Sequence, residues 1–203
     1  MRIPRSLAIV LAALTLAGCG GSSQKLEKLS SDAVLLAFGD SLTFGTGASP
    51  GESYPAQLEA LIGRKVVNAG VPGEVSAAGL ERLPGTLDEV KPAMLLLCHG
   101  GNDFLRKMDE AQAAQNVKAM VRLARERNIQ VVLIATPKPT IPPSVPAFYR
   151  EIAAEARVGL VETVVKDVVS DRSLKSDFVH PNANGYGEIA KAVQKALKRG
   201  GAV

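Results

Sequence analysis

Ser41 follows an apolar run, in the segment Gly39-Asp40-Ser41-Leu42. The run predicts a buried strand, so the hydroxyl would lie at the strand's carboxyl end, next to main-chain N–H groups that can bind an anion. Gly39 permits a tight turn and a close approach of substrate. The pattern predicts a nucleophilic serine, but it is also typical of a residue that caps a helix, and this segment alone leaves both open.

Asp177 precedes His180 by three residues, between the last predicted strand and the last predicted helix. A carboxylate at this spacing can accept a hydrogen bond from Nδ1 of the imidazole and leave Nε2 facing a nucleophile. The other histidine of the chain, His99, adjoins an apolar run, where a packed histidine is expected. We therefore predict His180 as the base, Asp177 as its partner and little loss of activity when His99 is replaced. The alternative is a surface turn with an incidental ion pair.

Two more segments offer donors for a developing oxyanion. Asn102 lies in a Gly-Gly-Asn-Asp sequence at residues 100–103, and its side-chain amide can donate without a change of protonation state. Gly73, in the turn after the second predicted strand, can present its main-chain N–H. Together with the N–H of Ser41, these groups would form an oxyanion hole. The alternatives are that Asn102 or Asp103 caps the helix that begins beyond Met108 and that Gly73 is an ordinary turn residue.

Short apolar runs alternate with longer amphipathic segments along the chain. The runs predict five strands, at residues 34–38, 65–67, 93–98, 130–135 and 159–164. Segments with a period near 3.6 predict helices at residues 54–62, 77–90, 111–127, 146–156 and 184–198. This alternation predicts an α/β fold with a parallel sheet between two helical layers, in which active residues gather at the carboxyl ends of the strands. The proline-rich residues 137–146 are expected to form a loop that contributes to a substrate wall.

Other chemistries lack their sequence signals. The chain has no G-x-S-x-G elbow, no H-E-x-x-H and no Walker lysine after a glycine-rich loop. Two histidines and one cysteine beyond residue 19 do not favour a zinc site, so we expect neither a metal nor an organic cofactor. That cysteine, Cys98, is expected to be a buried strand thiol rather than a nucleophile.

The net charge of +4 does not predict nucleic-acid binding. Arg2 and Arg5 lie in an amino-terminal segment that is expected to be removed, which leaves 22 basic against 20 acidic residues. The basic residues are mixed with acids rather than with aromatics, which favours a solvated surface. With 203 residues, 46% of them hydrophobic, the chain is long enough for one globular domain.

The amino terminus has the order of a secretory signal. Arg2 and Arg5 precede an apolar run at residues 7–16, which ends in Leu16-Ala17-Gly18-Cys19. Ten residues are too few to span a bilayer comfortably. A plain secretory signal with a chance cysteine and a short buried helix are the alternatives.

The four chemistry-bearing segments resemble, in their types and order, those of the SGNH hydrolases or GDSL esterases, over nearly all of the predicted domain. The resemblance implies a flavodoxin-like three-layer α/β/α fold with five parallel strands. It also implies a triad of Ser41, His180 and Asp177 that acts through an acyl-enzyme without a cofactor. Small bacterial arylesterases, lysophospholipases and acyl-thioesterases are the most similar members. Phe178 and Pro72 depart from the family pattern, which affects the expected loop shape and substrate preference.

Residues 16–19 resemble a bacterial lipobox. This resemblance implies a signal peptide at residues 1–18, a lipidated Cys19 that attaches the protein to a membrane, a flexible tether at 19–31 and a hydrolase domain at 32–203. By analogy with lipoprotein sorting, the absence of aspartate after Cys19 predicts the outer membrane of the cell envelope, facing the periplasm.

Two other functions stay open at this point. The same site could remove O-acetyl groups from cell-wall or capsular sugars. A protein of another class, a surface lipoprotein that keeps the fold as a binding module without turnover, would not need the triad and the oxyanion donors together.

Overall fold

Five strands form one parallel sheet in the order β2-β1-β3-β4-β5. The computed structural model describes residues 24–203. The strands are β1 Leu35–Gly39, β2 Val66–Gly70, β3 Met94–Cys98, β4 Gln130–Ile134 and β5 Gly159–Val161. This is the flavodoxin-like strand order, in which ligands bind beyond the carboxyl ends of the strands. The predicted five-stranded parallel sheet is confirmed.

Eight α-helices accompany the sheet within the described residues. They are α1 Ser41–Phe44, α2 Tyr54–Ile62, α3 Ser76–Val90, α4 Gly101–Leu105, α5 Glu110–Glu126, α6 Phe148–Ala156, α7 Val164–Ser170 and α8 Ala183–Gly200. Side chains alternate across each strand, so β1 supplies Leu35 and Ala37 to one core and Leu36 and Phe38 to the other. Helices α2, α7 and α8 cover the first core, and α3, α5 and α6 cover the second. The result is the predicted three-layer α/β/α arrangement.

Helix α7 replaces the end of the predicted fifth strand. The strand was expected at residues 159–164, but it ends at Val161, and Val164 begins the helix. The β-branched sequence Val-Val-Lys-Asp-Val-Val favours a strand locally. Its buried members, Val165 and Val168, are three residues apart and therefore lie on one face of a helix that packs on the first core. Tertiary packing thus outweighs local strand preference here.

The described part of the predicted tether packs against the domain. Leu26 and Leu29 are buried in the first core. Their N–H groups donate to the main-chain oxygens of Gly200 at 2.8 Å and Ala202 at 2.9 Å. Packing therefore begins before the predicted boundary at residue 32, because two leucines three residues apart complete the core beside the end of α8. The predicted signal peptide and Cys19 lie outside the described residues. None of the helices within residues 24–203 is long and apolar enough to cross a membrane.

Candidate active site

Ser41 is the first residue of α1, immediately beyond β1. The cap of this short helix is Asp40, whose Oδ1 accepts a hydrogen bond from the N–H of Leu42 at 3.0 Å. The capping interpretation therefore applies to Asp40, while the Ser41 hydroxyl faces the loop that carries His180. Burial raises the pKa of the Asp40 carboxyl, although hydrogen bonds and nearby histidines oppose the shift.

His180 lies between Ser41 and Asp177. Its Nε2 is 3.0 Å from Oγ of Ser41, and its Nδ1 is 2.7 Å from Oδ2 of Asp177. The second carboxylate oxygen of Asp177 accepts the N–H groups of Val179 and His180, each at 2.8 Å. This closed turn fixes the carboxylate against the ring, so the proton belongs on Nδ1 and Nε2 can accept from the serine. The structure thus brings together three residues that are up to 139 positions apart.

The surroundings of Asp177 keep it ionised. Partial burial disfavours the charged form, but hydrogen bonds from the His180 imidazole and from two main-chain N–H groups outweigh it and lower the pKa of Asp177. The Asp177 side chain stays 52% exposed, whereas His180 is 19% exposed. The imidazole is therefore more enclosed than its carboxylate partner.

Asn102 links the Ser41 segment to the Gly73 turn. Its Nδ2 donates to Oδ2 of Asp40 at 3.1 Å and to the main-chain oxygen of Glu74 at 3.0 Å. The N-cap residues are Gly100 for α4 and Asp109 for α5, the helix beyond Met108, so Asn102 caps neither helix. Asp103 does not cap α4 either, because its carboxylate accepts from the N–H and the hydroxyl of Ser76 at 2.8 and 2.6 Å.

The Gly73 turn is held from both sides. Gly73 has a φ of 78°, a left-handed conformation that favours glycine. Its main-chain oxygen accepts from the Arg106 guanidinium at 2.7 Å, and the N–H of Val71 donates to the oxygen of Gly39 at 3.0 Å. Pro72 is exposed within this turn. All three predicted oxyanion donors therefore belong to segments joined by hydrogen bonds.

A charged cluster behind the turn was missed by sequence reasoning. The Glu74 carboxylate receives two bonds from Arg82, at 2.8 and 2.7 Å, and lies 3.0 Å from Nε2 of His99. The N–H of Gly100 points at the other His99 nitrogen at 3.2 Å, which places the ring proton on Nε2. His99 is buried, as expected, and its ring packs over Gly79, where a Cβ would lie 2.2 Å from Nε2. The only local signal was a glutamate just before α3 with an arginine eight residues later.

The cluster strongly favours the ionised form of Glu74. Partial burial opposes ionisation, but hydrogen bonds and charge interactions with Arg82 and His99 outweigh it and lower the pKa of Glu74 to about 2. By contrast, burial raises the pKa of the Cys98 thiol well above its usual value. Cys98 is therefore a protonated core residue, in agreement with the expectation from sequence.

A pocket of about 390 Å³ opens beside Ser41 and His180. The proline-rich loop forms one wall, as predicted, and α7 with the Phe178 loop forms another. Most of the lining side chains beyond Ser41 and His180 are apolar, including Leu105, Pro139, Ile141, Val165, Val169 and Phe178. Ile141 and Phe178 are 93% and 72% exposed at its rim. Within residues 24–203, no group of three or more His, Cys, Asp and Glu side chains is arranged to hold a metal ion.

A flavodoxin-like sheet that brings together a serine, a glycine, an asparagine and a histidine, in this chain order, from the segments beyond its strands defines the SGNH class of hydrolases. The model of the GDSL-like Lipase/Acylhydrolase family matches residues 37–187, and the chain belongs to that family.

Several relatives are similar over most of their length. Esterase TesA of Pseudomonas aeruginosa is 32% identical over 199 residues, covering 93% of this chain and 98% of that protein. The Thioesterase 1/protease 1/lysophospholipase L1 of Escherichia coli is 30% identical over 172 residues, covering 81% and 83%. A crystal structure of TesA superposes with a TM-score of 0.74 at 31% identity, covering 81% of this chain and 98% of that chain. Fold and sequence therefore both assign the chain to the SGNH hydrolases.

Proposed function

We propose that this protein is a serine esterase that hydrolyses carboxylic esters and thioesters through Ser41, His180 and Asp177. The observation that carries the proposal is the continuous hydrogen-bonded line from Oγ of Ser41 to His180, at 3.0 Å, and on to Asp177, at 2.7 Å. Candidate substrates are aryl esters, short-to-medium acyl esters and lysophospholipids, in keeping with the names of the relatives.

Acylation begins when Nε2 of His180 takes the Ser41 proton as Oγ attacks the acyl carbonyl carbon. The carbonyl π electrons move to oxygen, and Asp177 stabilises the imidazolium that forms. The tetrahedral intermediate then re-forms its C=O bond and expels the alcohol or thiol, which takes the proton from His180. The products of this half-reaction are the Ser41 acyl ester and the free leaving group.

Deacylation repeats the same steps with water. His180 takes a proton from water as the water oxygen attacks the acyl carbon. When the second tetrahedral intermediate collapses, the bond to Ser41 Oγ breaks and His180 returns the proton to that oxygen. The carboxylic acid leaves. Only protein groups, substrate and water take part, so we expect chelators to leave the activity unchanged.

The tetrahedral oxyanion is proposed to bind the N–H groups of Ser41 and Gly73 and the side-chain amide of Asn102. Each aligned donor contributes on the order of 3 kcal/mol. Asn102 is held in advance by Asp40 and by the main chain of Glu74, so the amide needs little reorganisation when charge develops. A bound oxyanion would accept from the same Asn102 N–H groups that donate to Asp40 and Glu74 in this structure.

The pocket supports acyl chains over sugars. Apolar side chains outnumber polar ones along its walls, where prolines, Ile141, Val165 and Val169 would contact a hydrocarbon chain. Polar side chains are also present, among them Lys138, Thr140 and Lys175, so the substrate series below decides between the two classes. The apolar majority favours an esterase that acts on acyl esters over a carbohydrate O-acetyl esterase. A series of nitrophenyl esters from acetate to longer chains distinguishes the two activities. A strong preference for acetate would favour the carbohydrate O-acetyl esterase.

Ser41→Ala tests the proposal directly. The variant should retain the fold, by circular dichroism, and lose ester hydrolysis. A fluorophosphonate should label the native protein and not the variant, because an activated serine is needed. Turnover by purified Ser41→Ala that equals the native rate would refute the assignment. Native protein that is folded but neither labelled nor active would favour a non-catalytic binding module.

Cys19 is proposed to carry lipid that attaches the protein to the cell envelope, at the outer membrane facing the periplasm. The support is the lipobox-like sequence at residues 16–19. Metabolic incorporation of labelled palmitate, lost in Cys19→Ser, is the test, and separation of the two membranes gives the location.

A further inference from the structure

The amino-terminal segment enters the domain at the end of the sheet where the strands begin. The N–H of Glu27 donates to the side chain of Gln130, the first residue of β4, at 2.7 Å. Arg64, two residues before β2, donates to the main-chain oxygens of Ser30 and Leu29 at 2.9 and 3.2 Å. The segment therefore lies across the strand beginnings, opposite to the catalytic edge.

Basic residues precede every strand. We define the entry face as residues 24–34, 63–65, 91–93, 127–129 and 157–158, which lead into the five strands. It contains seven basic residues, Lys25, Lys28, Arg64, Lys65, Lys91, Arg127 and Arg157, against the two acids Glu27 and Asp32. All seven are exposed except Arg64, which is half-buried. Two have acidic neighbours outside the face, since Lys65 contacts Glu59 at 3.4 Å and Arg127 contacts Asp88 at 3.6 Å.

The opposite end has the opposite balance. The segments that follow the strands, residues 40–53, 71–75, 99–109, 135–147, 162–163 and 171–182, contain eight acidic and five basic residues. Helix C-termini favour cations, which accounts for Lys91, Arg127 and Arg157 at the C-caps of α3, α5 and α6. That effect does not account for Lys25 and Lys28, which lie in no helix. The charge of the domain is therefore unevenly distributed along the strand direction, with an excess of basic residues where the strands begin and of acidic residues where they end.

The chain between Cys19 and the packed segment is short. Five residue steps from Cys19 to Gln24 can span at most about 18 Å. A domain of this size is roughly 40 Å across. A lipid on Cys19 therefore cannot allow the domain to turn its catalytic edge onto the bilayer that holds the lipid, because the connection would have to pass around half of the domain.

We propose that the entry face rests on the anionic headgroups of the anchoring bilayer and that the pocket beside Ser41 opens away from it. The proposal rests on the lipid anchor proposed above and extends it to orientation and substrate access. Lysine and arginine near an anionic bilayer are attracted to it, and here they surround the point where the chain reaches the membrane. Ester substrates then reach the pocket from the aqueous side rather than from the anchoring leaflet.

Orientation can be measured on the lipidated protein in phosphatidylcholine vesicles that contain a quarter phosphatidylglycerol. A fluorophore is attached to Ser31→Cys on the entry face or to Ile141→Cys at the pocket rim, because native Cys98 is buried. A headgroup-linked quencher should reduce the fluorescence at position 31 strongly and that at position 141 little. Equal quenching at the two positions, or stronger quenching at 141, would overturn the proposed orientation.

The charge contribution can be separated from the lipid with the Cys19→Ser mature chain. It should co-sediment weakly with the anionic vesicles and not with pure phosphatidylcholine. Adding Lys28→Glu, Lys65→Glu and Lys91→Glu should reduce the partition coefficient about a hundredfold or more, since each cation contributes about fivefold. The matched set Lys118→Glu, Arg122→Glu and Lys191→Glu should reduce it much less.

The outcomes distinguish the two proposals. Equal losses from the two charge-reversal sets, or no anionic binding by the Cys19→Ser chain, would refute the entry face as a membrane surface. Neither set touches the pocket, so nitrophenyl ester hydrolysis should continue in both. Loss of that hydrolysis in the unmodified chain would count against the esterase proposal alone.

Discussion

The side-chain amide of Asn102 donates to the main-chain oxygen of Glu74 over 3.0 Å. The Glu74 carboxylate is in turn fixed by Arg82 and by buried His99. The orientation of the Asn102 amide, a proposed oxyanion donor, therefore depends on the Glu74, Arg82 and His99 cluster behind the turn. Rigid support of this kind matters because electrostatic stabilisation of a transition state requires donors that are already in place.

Glu74→Gln should lower kcat about tenfold and change KM little. The amide keeps the size of the side chain but loses the charge that holds Arg82, so the turn that presents Gly73 and orients Asn102 would loosen. Steady-state kinetics on a nitrophenyl ester measure the effect. Glu74→Asp should recover part of it, and Glu81→Gln, exposed on α3, serves as the matched control. A rise in KM without a change in kcat would contradict the positioning role.

The same cluster predicts how stability depends on pH. The pKa of Glu74 is lowered from 4.5 to about 2 in the folded protein. Above pH 4.5 the carboxylate is ionised in both states and its stabilisation is complete. Between pH 4.5 and 2 the unfolded chain takes up a proton that the folded chain does not, so the free energy of unfolding falls. Denaturant titrations should show that the free energy of unfolding falls less steeply over this pH range in Glu74→Gln than in the native protein. Parallel pH dependences in the two proteins would contradict the stabilising role of the Glu74 carboxylate.

Sequence reasoning located the sheet and the candidate site residues at its carboxyl edge because these depend on local patterns. Apolar runs mark the strands, and Ser41, Asn102 and His180 each follow a signal that can be read in a few residues. The fold then brings them together through parallel topology alone. The Glu74 cluster could not be found in this way, because His99 follows another strand and a glutamate with an arginine eight residues later does not by itself predict an ion pair. Helix α7 was missed for a related reason: only packing selects a helix for its valine-rich sequence.

Asn102→Ala should reduce kcat by about a hundredfold or more, since it removes one proposed oxyanion donor. The substitution also leaves Oδ2 of Asp40 without a hydrogen bond that it accepts in the native protein. Asn102→Asp is the sharper comparison, because it keeps the shape but replaces the amide donor with a carboxylate that repels an oxyanion. It should be at least as slow as the alanine variant. Activity of Asn102→Asp near the native rate would remove Asn102 from the oxyanion hole.

The two histidines should respond differently to replacement. His180→Ala should lower kcat by several orders of magnitude, because Ser41 loses the only imidazole within hydrogen-bonding distance in the described structure. His99→Gln keeps a donor toward Glu74 and should leave most of the activity. Single-turnover acylation by a nitrophenyl ester compares them directly. Equal losses in the two variants would require a different assignment of the base.

Gly39 should not tolerate even one added carbon. A Cβ at this position would lie 2.0 Å from the main-chain oxygen of Cys98 and 2.5 Å from Oγ1 of Thr43. Gly39 pairs with Cys98 in the centre of the sheet, so the strands cannot separate locally without losing hydrogen bonds. Gly39→Ala should therefore cost about 3 kcal/mol, lower the Tm by roughly 6–12 °C and displace Ser41, which reduces activity as well. Gly51→Ala, where a Cβ would meet nothing within 4 Å, should leave both nearly unchanged. Similar melting temperatures for the two alanine variants would contradict the prediction, because they would show that the ends of β1 and β3 can move apart to accommodate a Cβ.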